Sequence, residues 1–164
     1  MRIKRILAPV DFSDSATVAV DYAVEMARLH KAELLLAHII EPMNYAVPRF
    51  YPEPTALLEE QRKHAAMQLS EFELRVRKRY RKCRSEVHFG VVYEMIVQLA
   101  ASIGADLIVI ATHGRTGLAH VLMGSVAEKV VRYAECPVLT IRTVPMPAGL
   151  RGKRRKPRAR TVSS

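Results

Sequence analysis

Apolar positions along this chain fall into short runs separated by longer stretches with helical spacing. Residues 3–9 are a short apolar run with β-branched side chains and are expected to form a first strand. Ser13, Asp14 and Ser15 then offer capping oxygens. After them Ala16, Val20, Ala23, Val24 and Ala27 recur at three- and four-residue steps, the buried face of a helix running to about Lys31. Residues 33–40 (ELLLAHII) form a near-continuous apolar run, the pattern of a strand covered on both faces. Pro42, Pro48, Pro52 and Pro54 make residues 41–54 a loop, long for a connector. A long helix is expected from Thr55 to about Lys82, with Leu57, Leu58, Met67, Leu69, Phe72 and Val76 as its apolar stripe. Residues 86–91 read as a third strand. Residues 94–103 read as a helix with Ile96, Val97, Ala100 and Ile103 on one side and Gly104 just past its end. Residues 106–111 (DLIVIA) are a fourth, buried strand, followed by a glycine-containing loop over 113–123. A helix over 125–134 with Val126, Val130 and Val131 facing inward and a fifth strand over 137–143 (PVLTIRT) complete the pattern.

The order is β-α-β-α-β-α-β-α-β. Apolar strands alternating with helices indicate an α/β fold with a parallel sheet covered on both faces. Right-handed crossovers make a doubly wound, three-layer sandwich the expected architecture.

Composition changes this picture little, and charge changes it at one place. Of the 164 residues 49% are apolar, which suits one ordinary domain and excludes wholesale disorder. Cys83 and Cys136 are too few for a disulfide framework or a four-cysteine zinc site. No stretch approaches the 18 apolar residues of a membrane span, and the N-terminal apolar run is broken by Pro9 and Asp11. A reducing cytoplasm is the expected compartment. The net charge is +10, and Arg151, Lys153, Arg154, Arg155, Lys156, Arg158 and Arg160 supply +7 of it within residues 145–164, which hold no acid. Those twenty residues carry five Pro or Gly and no periodicity, so a disordered basic tail is expected to follow a domain over 1–144. It reads either as a solvated tail or as an electrostatic arm for nucleic acid, polyphosphate or an anionic membrane. Residues 75–84 carry seven further cations. Cations near a helix C-terminus suit the helix dipole, and a solvated basic face is one reading of them, a nucleic-acid stripe the other.

Candidate chemistry concentrates between the fourth strand and the last helix. Gly114 lies where the chain leaves the strand, and Gly124-Ser125 lies where the helix begins. Glycines there let backbone N–H groups approach an anion, and a helix N-terminus favours negative charge. Ser125 and Arg115 can add a hydroxyl donor and a cation. Against this stands a purely structural reading, in which Ser125 and Glu128 form an S-x-x-E capping box. The segment is neither a Walker A loop nor G-x-G-x-x-G, and the chain has no G-x-S-x-G, H-E-x-x-H or C-x-x-C motif. Asp11 sits just past the first strand, where a carboxylate can accept from ribose hydroxyls, cap the first helix or start an Asx turn with Ser13. The six histidines show no ligand spacing, so no metal site made of protein side chains is expected; Mg²⁺ would arrive with a nucleotide, held mainly by its phosphates.

Residues 6–13 (ILAPVDFS), 37–39 (AHI), 106–109 (DLIV), 112–117 (THGRTG), 124–131 (GSVAEKVV) and 136–139 (CPVL) together resemble the universal stress protein family, over about residues 1–144. The resemblance implies a Rossmann-like, five-stranded sheet of order 3-2-1-4-5, related to adenine nucleotide alpha-hydrolase-like folds. It also implies a homodimer through the fifth strand, from Pro137 to Thr143. ATP-binding members carry G-x2-G-x9-G-[S/T]. Here the nine-residue spacing from Gly114 to Gly124-Ser125 is intact, and Ala111 replaces the first glycine. By resemblance, Asp11 meets the ribose and the backbone at Ile39 reads the adenine edge. Gly114, Arg115, Gly124, Ser125 and Val126 surround the phosphates, and Pro9, Thr112 and His113 complete the pocket. The implied function is ATP or AMP binding, as a nucleotide-dependent stress-response or signalling module with at most slow hydrolysis. The competing reading is a dimeric platform that binds no nucleotide and whose basic tail holds a polyanion.

Overall fold

A computed structural model of the chain describes residues 2–41, 54–112 and 124–142, with the backbone alone for residues 54–57. Nine elements alternate among them: β1 (Arg5–Pro9), α1 (Asp14–His30), β2 (Glu33–Ile40), α2 (Pro54–Arg77), β3 (Cys83–Phe89), α3 (Val92–Ile103), β4 (Leu107–Ala111), α4 (Ser125–Tyr133) and β5 (Val138–Ile141). The strands form one parallel sheet in the order β3-β2-β1-β4-β5, as expected. In register, Ile6 stands opposite Leu34 on β2 and Leu107 on β4, and Ile108 stands opposite Val138 on β5.

Successive strand side chains point to opposite faces, so the apolar runs divide between two cores. Ile6, Ala8, Leu34, Leu36 and Val109 pack on α1 and α2, through Ala19, Val20, Ala23, Val24 and Ala27 of α1 and Leu69, Phe72 and Val76 of α2. Leu7, Leu35, Ile39, Ile108 and Ile110 pack on α3 and α4, through Ile96, Leu99, Ala100, Ala127 and Val130. Burial on both faces explains why β1, β2 and β4 read as continuous apolar runs rather than alternating ones.

Several boundaries and faces differ from the sequence pattern. Helix α2 ends at Arg77 rather than near Lys82, because Arg79 and Tyr80 both donate their N–H groups to the Val76 carbonyl and the Tyr80 hydroxyl donates to Ala32 O. That tether releases residues 83–85 to pair with β2, so β3 begins at Cys83 rather than Glu86 and ends at Phe89. Strands β1 and β5 are trimmed to Arg5–Pro9 and Val138–Ile141, and α3 starts two residues early at Val92. On α2 the buried stripe is Ala65, Leu69, Phe72 and Val76, while Met67 and Leu58 are exposed. On α4, Ala127 and Val130 face inward and Val131 is exposed. Helix α1 takes its cap from Ser13, whose Oγ accepts the Ala16 N–H at 3.1 Å. Gly104 ends α3 in the left-handed region, as its position suggested.

Asp106 falls outside the strand it was expected to start and does a different job. Its Oδ2 accepts the backbone N–H groups of Lys4 at 2.7 Å and Arg5 at 2.9 Å, locking β1 to the start of β4. Those backbone bonds hold its carboxyl below the ordinary carboxylate range. Asp106→Ala should cost about 1 kcal/mol in urea unfolding at neutral pH, since the site is open to solvent. A depressed folded pKa adds stability that is complete well above the unfolded value of about 3.9 and is lost as pH falls through the folded value. The difference between wild type and variant should therefore shrink in acid; a difference constant with pH would rule out the carboxylate as its source.

Candidate functional site

The sheet order reverses between β1 and β4, which opens a crevice at the carboxyl ends of these strands. One wall is the turn from β1 into α1. The Val10 N–H donates to Ala37 O at 2.8 Å, and the Val10 carbonyl accepts from Nδ1 of buried His38 at 2.7 Å. Asp11 Oδ1 accepts both the Ser13 N–H at 3.0 Å and the Ser13 hydroxyl at 2.6 Å. The Asx turn with Ser13 is thus formed. It leaves a ligand role open, because an ionised carboxylate has about four acceptor positions. Between them Phe12 adopts φ 63°, a left-handed conformation that costs a non-glycine residue about 1–2 kcal/mol. Its ring is held 4.5 Å from His38 and 6.5 Å from Phe72, centroid to centroid. Sequence reasoning assigned His38 no role beyond its place in the motif at 37–39. Its signal appears only in the fold, where the residue buttresses the Asp11 turn from β2.

The facing wall runs from β4 into α4. Thr112 is buried, and its N–H donates to Ile141 O at 3.0 Å. The Gly124 N–H donates to Thr112 O at 2.6 Å, so strand end and helix start are in direct backbone contact. A Cβ on Gly124 would lie 2.8 Å from that same carbonyl oxygen. Gly124, not Ser125, is the N-cap of α4, and it has no side-chain cap bond. The capping box is therefore not formed, because Ser125 already stands at the first helical position. The first helical bond runs from Glu128 N–H to Gly124 O. The N–H groups of Ser125, Val126 and Ala127 accordingly have no partner within the helix, and Ser125 is exposed.

Pro9, Asp11, Ile39, Thr112, Gly124, Ser125 and Val126 all line one cleft of about 540 Å³ between these walls. That volume suits a small organic ligand. Val92, Ile96 and Ile110 add an apolar side that sequence reasoning did not assign. His113, Gly114 and Arg115 lie outside the described residues. Ala111 lines the cleft, while its methyl packs with the cluster under α1. Among the described residues no three His, Cys, Asp or Glu side chains are grouped to hold a metal. Both cysteines are packing residues: burial pushes the Cys83 thiol up to about 12 and raises Cys136 as well, away from the thiolate a nucleophile needs.

The Universal stress protein family model matches residues 2–142. The chain belongs to this family. Universal stress protein MJ0531 of Methanocaldococcus jannaschii is 32% identical, over 85% of this chain and 82% of its own. The structure of universal stress protein UspA from Lactobacillus plantarum is similar at TM-score 0.77 and 30% identity, covering 87% of this chain and 99% of that one. A universal stress protein from Archaeoglobus fulgidus, solved in complex with dAMP, is similar at TM-score 0.58 and 27% identity, covering 86% and 99%. Nucleotide binding is thus a property of some members of the family, and no helix among the described residues of this universal stress protein is long and apolar enough to cross a membrane.

Proposed function

We propose that this universal stress protein binds ATP or AMP in the cleft between β1 and β4 and acts as a nucleotide-dependent stress-response or signalling module in the cytoplasm. The observation that carries the reading is the backbone contact of Gly124 with Thr112. It leaves the first-turn N–H groups of α4 without helical partners across the cleft from Asp11. Helix N-termini of this kind suit phosphate, and a Cβ at Gly124 would meet the strand backbone that shapes the cradle. In this reading Asp11 takes the ribose hydroxyls and the Ile39 backbone reads the adenine edge. Gly124, Ser125 and Val126 hold phosphates together with His113, Gly114 and Arg115. Mg²⁺, when present, comes with the phosphates. Hydrolysis is at most slow in this reading. A homodimer through β5 belongs to the same reading, since β5 is an apolar edge strand that pairing would cover.

The test is mass analysis of small molecules released on denaturing the purified chain, with thermal unfolding in the presence of ATP or AMP. Adenine nucleotide should be released. Added nucleotide should raise Tm, because a ligand at 100 times its Kd stabilises the native state by about 2.7 kcal/mol. Asp11→Ala should weaken the shift. Absence of both released nucleotide and shift would defeat the reading.

A further inference from the structure

All five strands run parallel, so every helix-to-strand turn lies at the end of the sheet opposite the cleft. The α1–β2 and α2–β3 turns meet there. The Arg28 guanidinium donates to Arg79 O at 2.7 Å, the Tyr80 hydroxyl to Ala32 O, and the Leu34 N–H to Lys82 O at 2.9 Å. These bonds join two separate basic segments into one surface: Arg28 and Lys31 from the first, and Arg75, Arg77, Lys78, Arg79, Arg81, Lys82 and Arg84 from the second. All nine are exposed.

The carboxylates that pair with these cations are Asp21, Glu25, Glu73 and Glu86, and they neutralise only part of the surface. Arg28 pairs with Glu25 at 3.1 Å, Arg77 with Glu73 at 3.3 Å, Arg79 with Asp21 and Arg84 with Glu86. Arg75 lies 5.1 Å above the Phe72 ring. Lys31, Lys78, Arg81 and Lys82 pair with no carboxylate among the described residues. The helix dipole accounts for cations in the last turn of α2, but its effect fades within that turn. Arg81 and Lys82 lie beyond the helix, on the approach to β3.

We propose that this face binds the phosphate backbone of a nucleic acid duplex without reading its sequence. Long flexible cations with no carboxylate partner among the described residues, gathered on two adjoining turns, match regularly spaced phosphates. Tyr80, the ring within the segment, is half-buried with its hydroxyl committed to Ala32, so base stacking is not the mode. The face lies at the opposite end of the sheet from the cleft, so the proposal stands or falls independently of the adenine-nucleotide reading.

The test measures fluorescence anisotropy of a labelled random-sequence DNA duplex with the full chain, from about 50 to 200 mM salt. The unaltered chain should bind at the low end, with log affinity falling linearly with log salt. The combined variant Lys78→Gln, Arg81→Gln, Lys82→Gln should bind at least tenfold more weakly, with a slope shallower by roughly 0.9 per lost phosphate contact. A control carrying Lys153→Gln, Arg154→Gln, Arg155→Gln removes the same charge elsewhere and should retain most of the affinity. Three results overturn the proposal: no binding by the unaltered chain at low salt, an unchanged slope in the first variant, or an equal loss in the control. Circular dichroism checks that the variants remain folded.

Discussion

Gly124→Ala should lower adenine-nucleotide affinity at least tenfold and cost the fold about 1–3 kcal/mol, the range for forcing extra atoms into a packed site. The added methyl would lie 2.8 Å from Thr112 O. That oxygen cannot step aside cheaply. It accepts the Gly124 N–H, and the Thr112 N–H is tied to Ile141 O on β5. Relief comes only by moving the start of α4 away from the end of β4, and the first-turn N–H groups move with it. Ser125→Ala is the matched control. Ser125 is exposed at the first helical position and is not the cap, so its loss should leave stability within about 0.5 kcal/mol while removing one proposed phosphate donor. Calorimetric titration with ATP and AMP reads the binding, and urea unfolding reads the stability. Wild-type behaviour of Gly124→Ala in both would show that the close backbone approach is not needed.

Leu69→Ala should destabilise the chain by about 2–5 kcal/mol, whereas Met67→Ala, two residues away, should be neutral within about 0.5 kcal/mol. Leu69 is 1% exposed and joins α2 to the core under β1 and β2; Met67 is 58% exposed. Few long apolar side chains hold α2 against the sheet, and Leu69 is the most deeply buried of Ala65, Leu69, Phe72 and Val76. Its removal leaves a cavity that helix and strand backbones cannot close without shifting. Phe72 also supports Phe12, so a loosened α2 should in turn reduce nucleotide affinity in Leu69→Ala through the Asp11 turn. Equal effects at the two positions, read by urea unfolding, would mean that α2 packs by a different face.

The difference between these two residues shows where sequence patterning stops. Leu57, Leu58, Met67 and Leu69 are alike in hydropathy, and α2 carries enough charge that several helical faces fit it about equally well. The face chosen is the one turned to β2 and β3, which is information about the sheet. On α4 likewise, Ala127 and Val130 rather than Val131 turn into the core shared with α3. Boundaries behave similarly. Apolar patterning over 86–91 could not foresee the Tyr80–Ala32 tether that starts β3 at Cys83.

The sequence by itself determined the α/β alternation, the two-sided burial of β1, β2 and β4, a capped start of α1 within residues 13–15, the Gly104 stop, the family and seven of the cleft-lining positions. These depend on local chemistry: a run of apolar residues, a capping oxygen, a residue able to adopt the left-handed region, or ordered motifs at fixed spacing. Only the tertiary structure decided that Ser125 stands inside α4 rather than at its cap, and that Gly124 touches the end of β4. It also decided that His38 and Phe12 brace Asp11, that Asp106 joins β1 to β4, and that two basic segments form one face. Each is a contact between residues far apart in the chain, set by strand order and register, and no window of neighbouring residues contains both partners.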